Sequence, residues 1–278
     1  MSLFYERLDR AWNTSRSLVS IGLDPDPSRM PLSDVYEFNR RIVDETFDVV
    51  CAYKPNLAFY EALGIPGLKG LDKTLEYIRG KTSDVLLIGD GKRGDIGNSS
   101  ASYARALFDM WGFDAVTVNA YGGQDSIEPF LQYHDKGVYV WCRSSNPGAK
   151  DFQDAVVDDD KGMVRLYELI ARKLDQWNTN QNLGLVVGAT YPQDLGCLRE
   201  EYPGMPFLIP GVGAQEGDLK SVVRSGVNKF GRGAIINSSR SVIYASSGKD
   251  FAQAARRQAL AMNREITNEL ESKGKGWP

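Results

Sequence analysis

A repeating alternation of strand-like and helix-like segments constrains the fold of this chain more than any other feature. Short apolar runs rich in β-branched residues recur eight times: SLVSIGLDP (17–25), VVCAYKPN (49–56), DVLLIGDGK (84–92), AVTVNAY (115–121), VYVWCRSS (138–145), LGLVVGATY (183–191), PFLIPGVG (206–213) and NKFGRGAI (228–235). Most are continuous rather than alternating, as expected of strands buried on both faces of a parallel sheet. Amphipathic segments separate them. Residues 34–50 carry Val35, Phe38, Ile42, Val43 and Phe47 at helical spacing, and 102–112 and 162–177 behave alike. A helical segment over 1–16 opens the chain, and a helix over about 250–272 closes it, with Ala255, Ala259, Met262, Ile266 and Leu270 on one stripe.

Eight such units predict a (β/α)8 barrel of the TIM type, an α/β fold. A doubly wound sheet built from the same local units is the alternative. No linker or compositional break divides residues 1–278, so a single domain is expected. In a barrel, the loops after the strands share one face, and that face carries the chemistry.

Composition narrows the function. The net charge of −3 argues against a nucleic-acid-binding surface, and no apolar run reaches membrane-spanning length. The N-terminus lacks a signal-peptide pattern, and Cys51, Cys142 and Cys197 show no metal or redox spacing. Buried, inert thiols at Cys51 and Cys142 and a cytoplasmic location follow as expectations. The single histidine, His134, lies in the polar loop FLQYHDKG and is expected at the surface. Chemistry must then rest on Lys, Asp and backbone dipoles.

The strand ends supply those groups. Residues 90–97 read DGKRGDIG. Asp90 and Lys92 are two apart, so on an extended strand they share a face. Lys54 ends the second strand and Asp24 the first, which would align four charges of alternating sign on three neighbouring strands. Burying such charges is costly unless they are used. Asp95 follows near the start of the next helix, while Arg93, at opposite parity, reads as structural. Across the mouth, PGVGAQEGD (210–218) and FGRGAI (230–235) are Gly-rich and suit an anion, with Arg232 as a bidentate phosphate ligand and Gln215 as part of a lid. RSSNPGA (143–149) offers hydroxyl and amide groups to a polar heterocycle. The acidic stretch 151–165 is expected to be a solvated loop.

DGKRGDIG matches the Asp-x-Lys-x-x-Asp signature of the orotidine 5′-monophosphate decarboxylase family, and GLDP, YKPN, SSNPGA, PGVGAQ and GRGA resemble its other strand-end motifs in the same order. The match spans about Ser17 to Ile235 and looks most like the longer bacterial branch. The resemblance implies a barrel homodimer that converts orotidine monophosphate to uridine monophosphate and CO2, with neither metal nor cofactor. It implies that Lys54, Asp90, Lys92 and Asp95 form the charged network, with Asp95 and Ser99 contributed to the partner's site. It further implies that Asp24 binds the ribose and Ser145 the pyrimidine. Gln215 and Arg232 would hold the phosphate, with Pro210 and Gly231 from the same loops among the substrate-binding residues. Ser99 stands where the family usually has Thr, which keeps the hydroxyl and loses a methyl.

Two rivals share parts of the pattern. A Mg-dependent sugar-phosphate decarboxylase or aldolase of the same suprafamily needs an acidic ligand on strand two, where this chain has Lys54. A non-catalytic phosphate sensor would need no intact charge network.

Overall fold

In the computed structural model, which describes residues 3–160, 162–213 and 218–277, eight parallel strands close into a barrel. These are β1 (Val19–Ile21), β2 (Ala52–Tyr53), β3 (Leu86–Arg93), β4 (Ala115–Val118) and β5 (Gly137–Arg143), then β8 (Leu183–Val187), β9 (Phe207–Pro210) and β10 (Ala234–Ser238). Between β5 and β8 lie β6 (Val156–Asp159) and β7 (Gly162–Arg165), an antiparallel pair outside the barrel. The barrel order is β1-β10-β9-β8-β5-β4-β3-β2, so each expected strand falls next to its neighbour in sequence and β10 closes on β1.

The continuous apolar runs are buried as strands enclosed on both faces must be. Ile21, Ile88, Val116, Val140, Leu185, Ile209 and Ile236 are all fully inaccessible. The two mouths of the barrel differ. The helix Leu3–Ser15 plugs the N-terminal mouth, burying Phe4, Leu8, Ala11 and Trp12. Its Phe4 ring packs edge-on to Tyr139, and a Cβ at Gly137 would come within 2.1 Å of that ring. Only glycine therefore lets β5 start there. At the other end of the chain, Phe251–Ser272 forms the closing helix, with Phe251 stacked on Phe38 at 5.2 Å. The C-terminal mouth is left for the strand-end loops.

Two expectations are corrected. The stretch 151–165 is not a plain solvated loop, because Val156–Asp159 pairs with Gly162–Arg165 as a hairpin. Gly162, at φ +108°, takes the positive-φ position at the turn, and Arg172 pairs with Asp159 to tie the hairpin to a neighbouring helix. The acid-rich composition around Asp158 and Asp159 hid the strand-forming Val156, Val157 and Val164.

The last barrel strand is also placed differently. FGRGAI was expected to carry the strand and its functional end, but the strand is Ala234–Ser238. Asn228 to Gly233 instead form the tight turn that enters it. Asn228 N–H donates to the Arg232 carbonyl, and Gly231 and Gly233 take φ of +73° and +84°. The glycines thus supply the positive φ that this turn before the strand requires.

Candidate active site

Registers across the barrel fix which residues reach the open mouth. Asn237 of β10 pairs with Pro210 of β9, while Ala234 pairs with Phe207 at the other end. Pro210 therefore faces the C-terminal mouth, while Gly231 and Arg232 lie at the plugged N-terminal mouth. There the Arg232 guanidinium stacks 3.7 Å from the centre of the Trp277 ring. The expectation that Gly231 and Arg232 share a site with Lys92 is wrong, because they precede the strand instead of following it.

A cavity of about 340 Å³ opens at the C-terminal mouth, lined by Asp24, Lys54, Asn56, Asp90, Lys92, Trp141, Ser144, Ser145, Asn146, Pro210, Gly211, Asn237, Ser239 and Arg240, among others. It gathers six of the expected residues: Asp24, Lys54, Asp90, Lys92, Ser145 and Pro210.

Asp90 is the hub of the cavity floor. Its Oδ2 accepts from Lys54 Nζ at 2.5 Å, and its Oδ1 accepts from Lys92 Nζ at 2.6 Å and from Thr117 Oγ1 at 2.8 Å. Lys54 and Asp90 are buried, whereas the Lys92 side chain keeps 35% of its surface accessible. Burial pushes the Asp90 pKa upward, but the two ammoniums overcome this and hold it well below the usual carboxylate range. Burial pulls Lys54 downward, yet Asp90 and Asp24 keep it above its ordinary value. Asp90 thus contributes stability that is present above its unfolded value near 3.8 and lost only as pH falls through the depressed one. Lys54 contributes stability present below 10.5 and lost as pH rises through its raised value. The pair stays ionised throughout the neutral range.

The strand is not extended where it delivers Lys92. The β3–β4 register shifts between Gly89 and Arg93, and Lys92 adopts φ +42°. Such a backbone costs about 1–3 kcal/mol in a non-glycine residue and persists where its surroundings enforce it. Thr117 does so, with its Oγ1 accepting from the Lys92 N–H at 3.0 Å. Asp90 and Lys92 therefore meet through a bulge rather than through strand parity. Arg93 turns away to Glu61 and the Tyr103 ring.

Asp24 accepts from the Asn56 N–H at 3.2 Å and from Ser239 Oγ at 2.5 Å, which leaves it at the rim of the cavity. Asp95 and Ser99 are not in the cavity and lie exposed outside it. Gln215 lies outside the described residues. His134 is exposed, and burial raises the Cys142 thiol to about 12 and Cys51 further still. These positions leave the histidine and both thiols away from the chemistry.

A family model described as "Orotidine 5'-phosphate decarboxylase / HUMPS family" matches residues 17–257. The chain belongs to this family. Among curated relatives, an orotidine 5′-phosphate decarboxylase of Dehalococcoides mccartyi is 50% identical, covering 95% of this chain and 97% of its own. Another of that name from Cellvibrio japonicus is 44% identical over 95% of this chain and 97% of its own. Among solved structures, a putative orotidine-monophosphate-decarboxylase from Toxoplasma gondii superposes with a TM-score of 0.86 at 34% identity, covering 96% and 97% of the two chains. The OMP decarboxylase of Leishmania donovani gives 0.82 at 34% identity, covering 96% and 99%.

Within this decarboxylase-family barrel, the residues that sequence reasoning missed are Thr117, Asn237, Ser239 and Arg240. Arg240 is exposed, lines the cavity, and pairs with no carboxylate among the described residues. A signal for it existed in the run AIINSSR, an apolar strand followed directly by polar residues and an arginine. The glycine-rich turn at 230–233 gives the stronger local pattern.

Proposed function

We propose that the chain decarboxylates orotidine 5′-monophosphate to uridine 5′-monophosphate and CO2, the reaction for which its curated relatives are named. The observation that carries this reading is the buried Lys54–Asp90–Lys92 chain, whose partly accessible end is Lys92. When the C6–carboxyl bond breaks, its electron pair stays on C6, which has little resonance help. An ammonium fixed beside C6 stabilises that charge and then delivers its proton there, closing the C6–H bond of the product. Solvent returns the proton to Lys92. Asp90, with both oxygens occupied by donors, holds Lys92 in place.

Charge chemistry also argues for this branch over the Mg-dependent sugar-phosphate enzymes. The Asp90 oxygen that would face a cation from strand two already accepts from the Lys54 ammonium, whose charge repels a metal ion. No cofactor enters the proposed steps.

For the substrate's other end we assign the phosphate to Arg240, with the loop Pro210–Gly213, where Gly211 and Gly213 have φ of +99° and +86°. Gln215 remains part of that proposal from sequence alone. Asp24 takes the ribose hydroxyls, and Ser145 the pyrimidine edge.

We further propose a homodimer in which Asp95 and Ser99 complete the partner's site. Their exposure next to the exposed apolar side chains of Ile96, Tyr103 and Tyr121 supports such a surface. No helix among the described residues is long and apolar enough to cross a membrane. A soluble nucleotide substrate suits the cytoplasm.

Mixing two inactive variants tests the shared site. Lys92→Ala and Asp95→Ala should each be inactive alone. An equal mixture allowed to exchange subunits should regain about a quarter of wild-type activity, because a two-fold dimer rebuilds one intact site in each heterodimer. A mixture that stays inactive despite demonstrated exchange counts against the shared site.

A further inference from the structure

Behind the loop that follows β5, one side chain contacts the site without lining its cavity. Gln153 Oε1 accepts from the Ser144 N–H at 2.9 Å, and its Nε2 donates to Ser144 Oγ at 2.9 Å. Both ends of the amide are thus spent on one residue.

Gln153 is itself pinned. Its N–H donates to the Ala149 carbonyl at 2.8 Å, and its carbonyl accepts from Tyr167 N–H at 3.2 Å. Beside it, the buried Arg143 guanidinium reaches Asp154 at 2.9 Å and Asp194 at 3.0 Å. It also lies 4.1 Å from the centre of the Tyr191 ring.

The next residue along is held from the opposite side. Thr190 Oγ1 donates to the Ser145 carbonyl at 3.0 Å. A Cβ at Gly188 would lie 2.6 Å from the Ser145 nitrogen, so glycine there admits the loop. The Ser144–Ser145 peptide is therefore fixed on both flanks, immediately before the cavity-lining Ser145 and Asn146.

We infer that Gln153 is a positioning residue for base recognition, its amide clamping the Ser144 peptide so that Ser145 and Asn146 meet the pyrimidine edge in register. This rests on the decarboxylase reading above. A polar heterocycle is read by donors and acceptors placed within about 0.5 Å, which a loop supplies only if its backbone is held from behind. A glutamine matches the task because it offers one donor and one acceptor to the two groups of Ser144. A methionine of similar size fills the space and satisfies neither, leaving the Ser144 N–H unpaired.

The test compares two ligands that differ only by the base, uridine 5′-monophosphate and ribose 5-phosphate, by calorimetry on the full chain. In Gln153→Met the uridine nucleotide should bind about 10-fold more weakly, while ribose 5-phosphate changes by less than about 2-fold. KM for orotidine monophosphate should rise in parallel, with kcat changed less. Gln153→Glu still accepts from the Ser144 N–H and can take a bond from its hydroxyl, so it should stay within about 3-fold of wild type. If Gln153→Met does not fold, Thr190→Val reads the same clamp from the other flank and should show the same base-selective loss.

Wild-type affinity for the uridine nucleotide in Gln153→Met, or equal loss of both ligands, overturns the inference. An inactive wild type would count against the proposed reaction alone, since the two-ligand comparison judges the clamp without turnover.

Discussion

Lys92→Ala should abolish decarboxylation while leaving the barrel folded. Loss of a positioned general acid costs about 10²–10⁴ in rate, and loss of a fixed charge at the developing carbanion costs a further ~10²–10³. A fall of at least about 10⁴-fold in kcat is therefore expected from one truncation. Stability should change little, because the Lys92 side chain is partly exposed and Asp90 keeps its bonds to Lys54 and Thr117. A melting temperature within a few degrees of wild type, measured alongside turnover, separates lost chemistry from lost fold. Substantial turnover by the folded variant would remove Lys92 from its role.

The second large effect concerns the arginines at opposite ends of the barrel. Arg240→Ala should raise KM for orotidine monophosphate by about 10²-fold, the value of two charge-assisted hydrogen bonds of ~1.5 kcal/mol each. In the wild type, unphosphorylated orotidine should be a very poor substrate, and Arg240→Ala should narrow that gap. Arg232→Ala should leave KM unchanged. Its guanidinium lies over Trp277 at the plugged mouth, so its loss costs about 0.5–2 kcal/mol of stability instead. If Arg232→Ala raises KM and Arg240→Ala does not, the phosphate assignment is reversed and the reading of the two mouths fails.

These two arginines also show where the sequence was legible and where it was not. Seven of the eight apolar runs coincide with barrel strands in the expected order and the eighth overlaps the start of the last strand, because burial on both faces leaves a continuous hydrophobic signature. That order alone places Asp24, Lys54, Asp90 and Lys92 at one mouth. Strand boundaries carry no comparable signature. FGRGAI and AIINSSR overlap by two residues, Ala234 and Ile235, and the choice between them moves the functional arginine from one end of the barrel to the other. Barrel sites follow their strands, whereas the FGRG turn precedes one.

The bulge at Lys92 was illegible for a different reason. Parity predicts that Asp90 and Lys92 share a face, and they do meet, yet through a backbone at φ +42° that no local residue preference announces. The surrounding sheet imposes it, with Thr117 bonding to both the Lys92 N–H and the Asp90 carboxylate. Thr117 was detectable in principle as the polar residue inside the apolar run AVTV. The hairpin at 156–165 was masked by its acidic surface, since two short, largely exposed strands outside the barrel leave no continuous hydrophobic run. Asp95 and Ser99 could be read only through the family resemblance, because nothing within one chain brings them to the cavity.

The lysine–aspartate network of this barrel should decarboxylate orotidine monophosphate without a metal. Following the loss of absorbance of orotidine monophosphate with excess EDTA present tests it in one measurement. The account predicts turnover at the same rate with and without the chelator, yielding uridine monophosphate. No turnover, or turnover that EDTA stops and added Mg²⁺ restores, would contradict it.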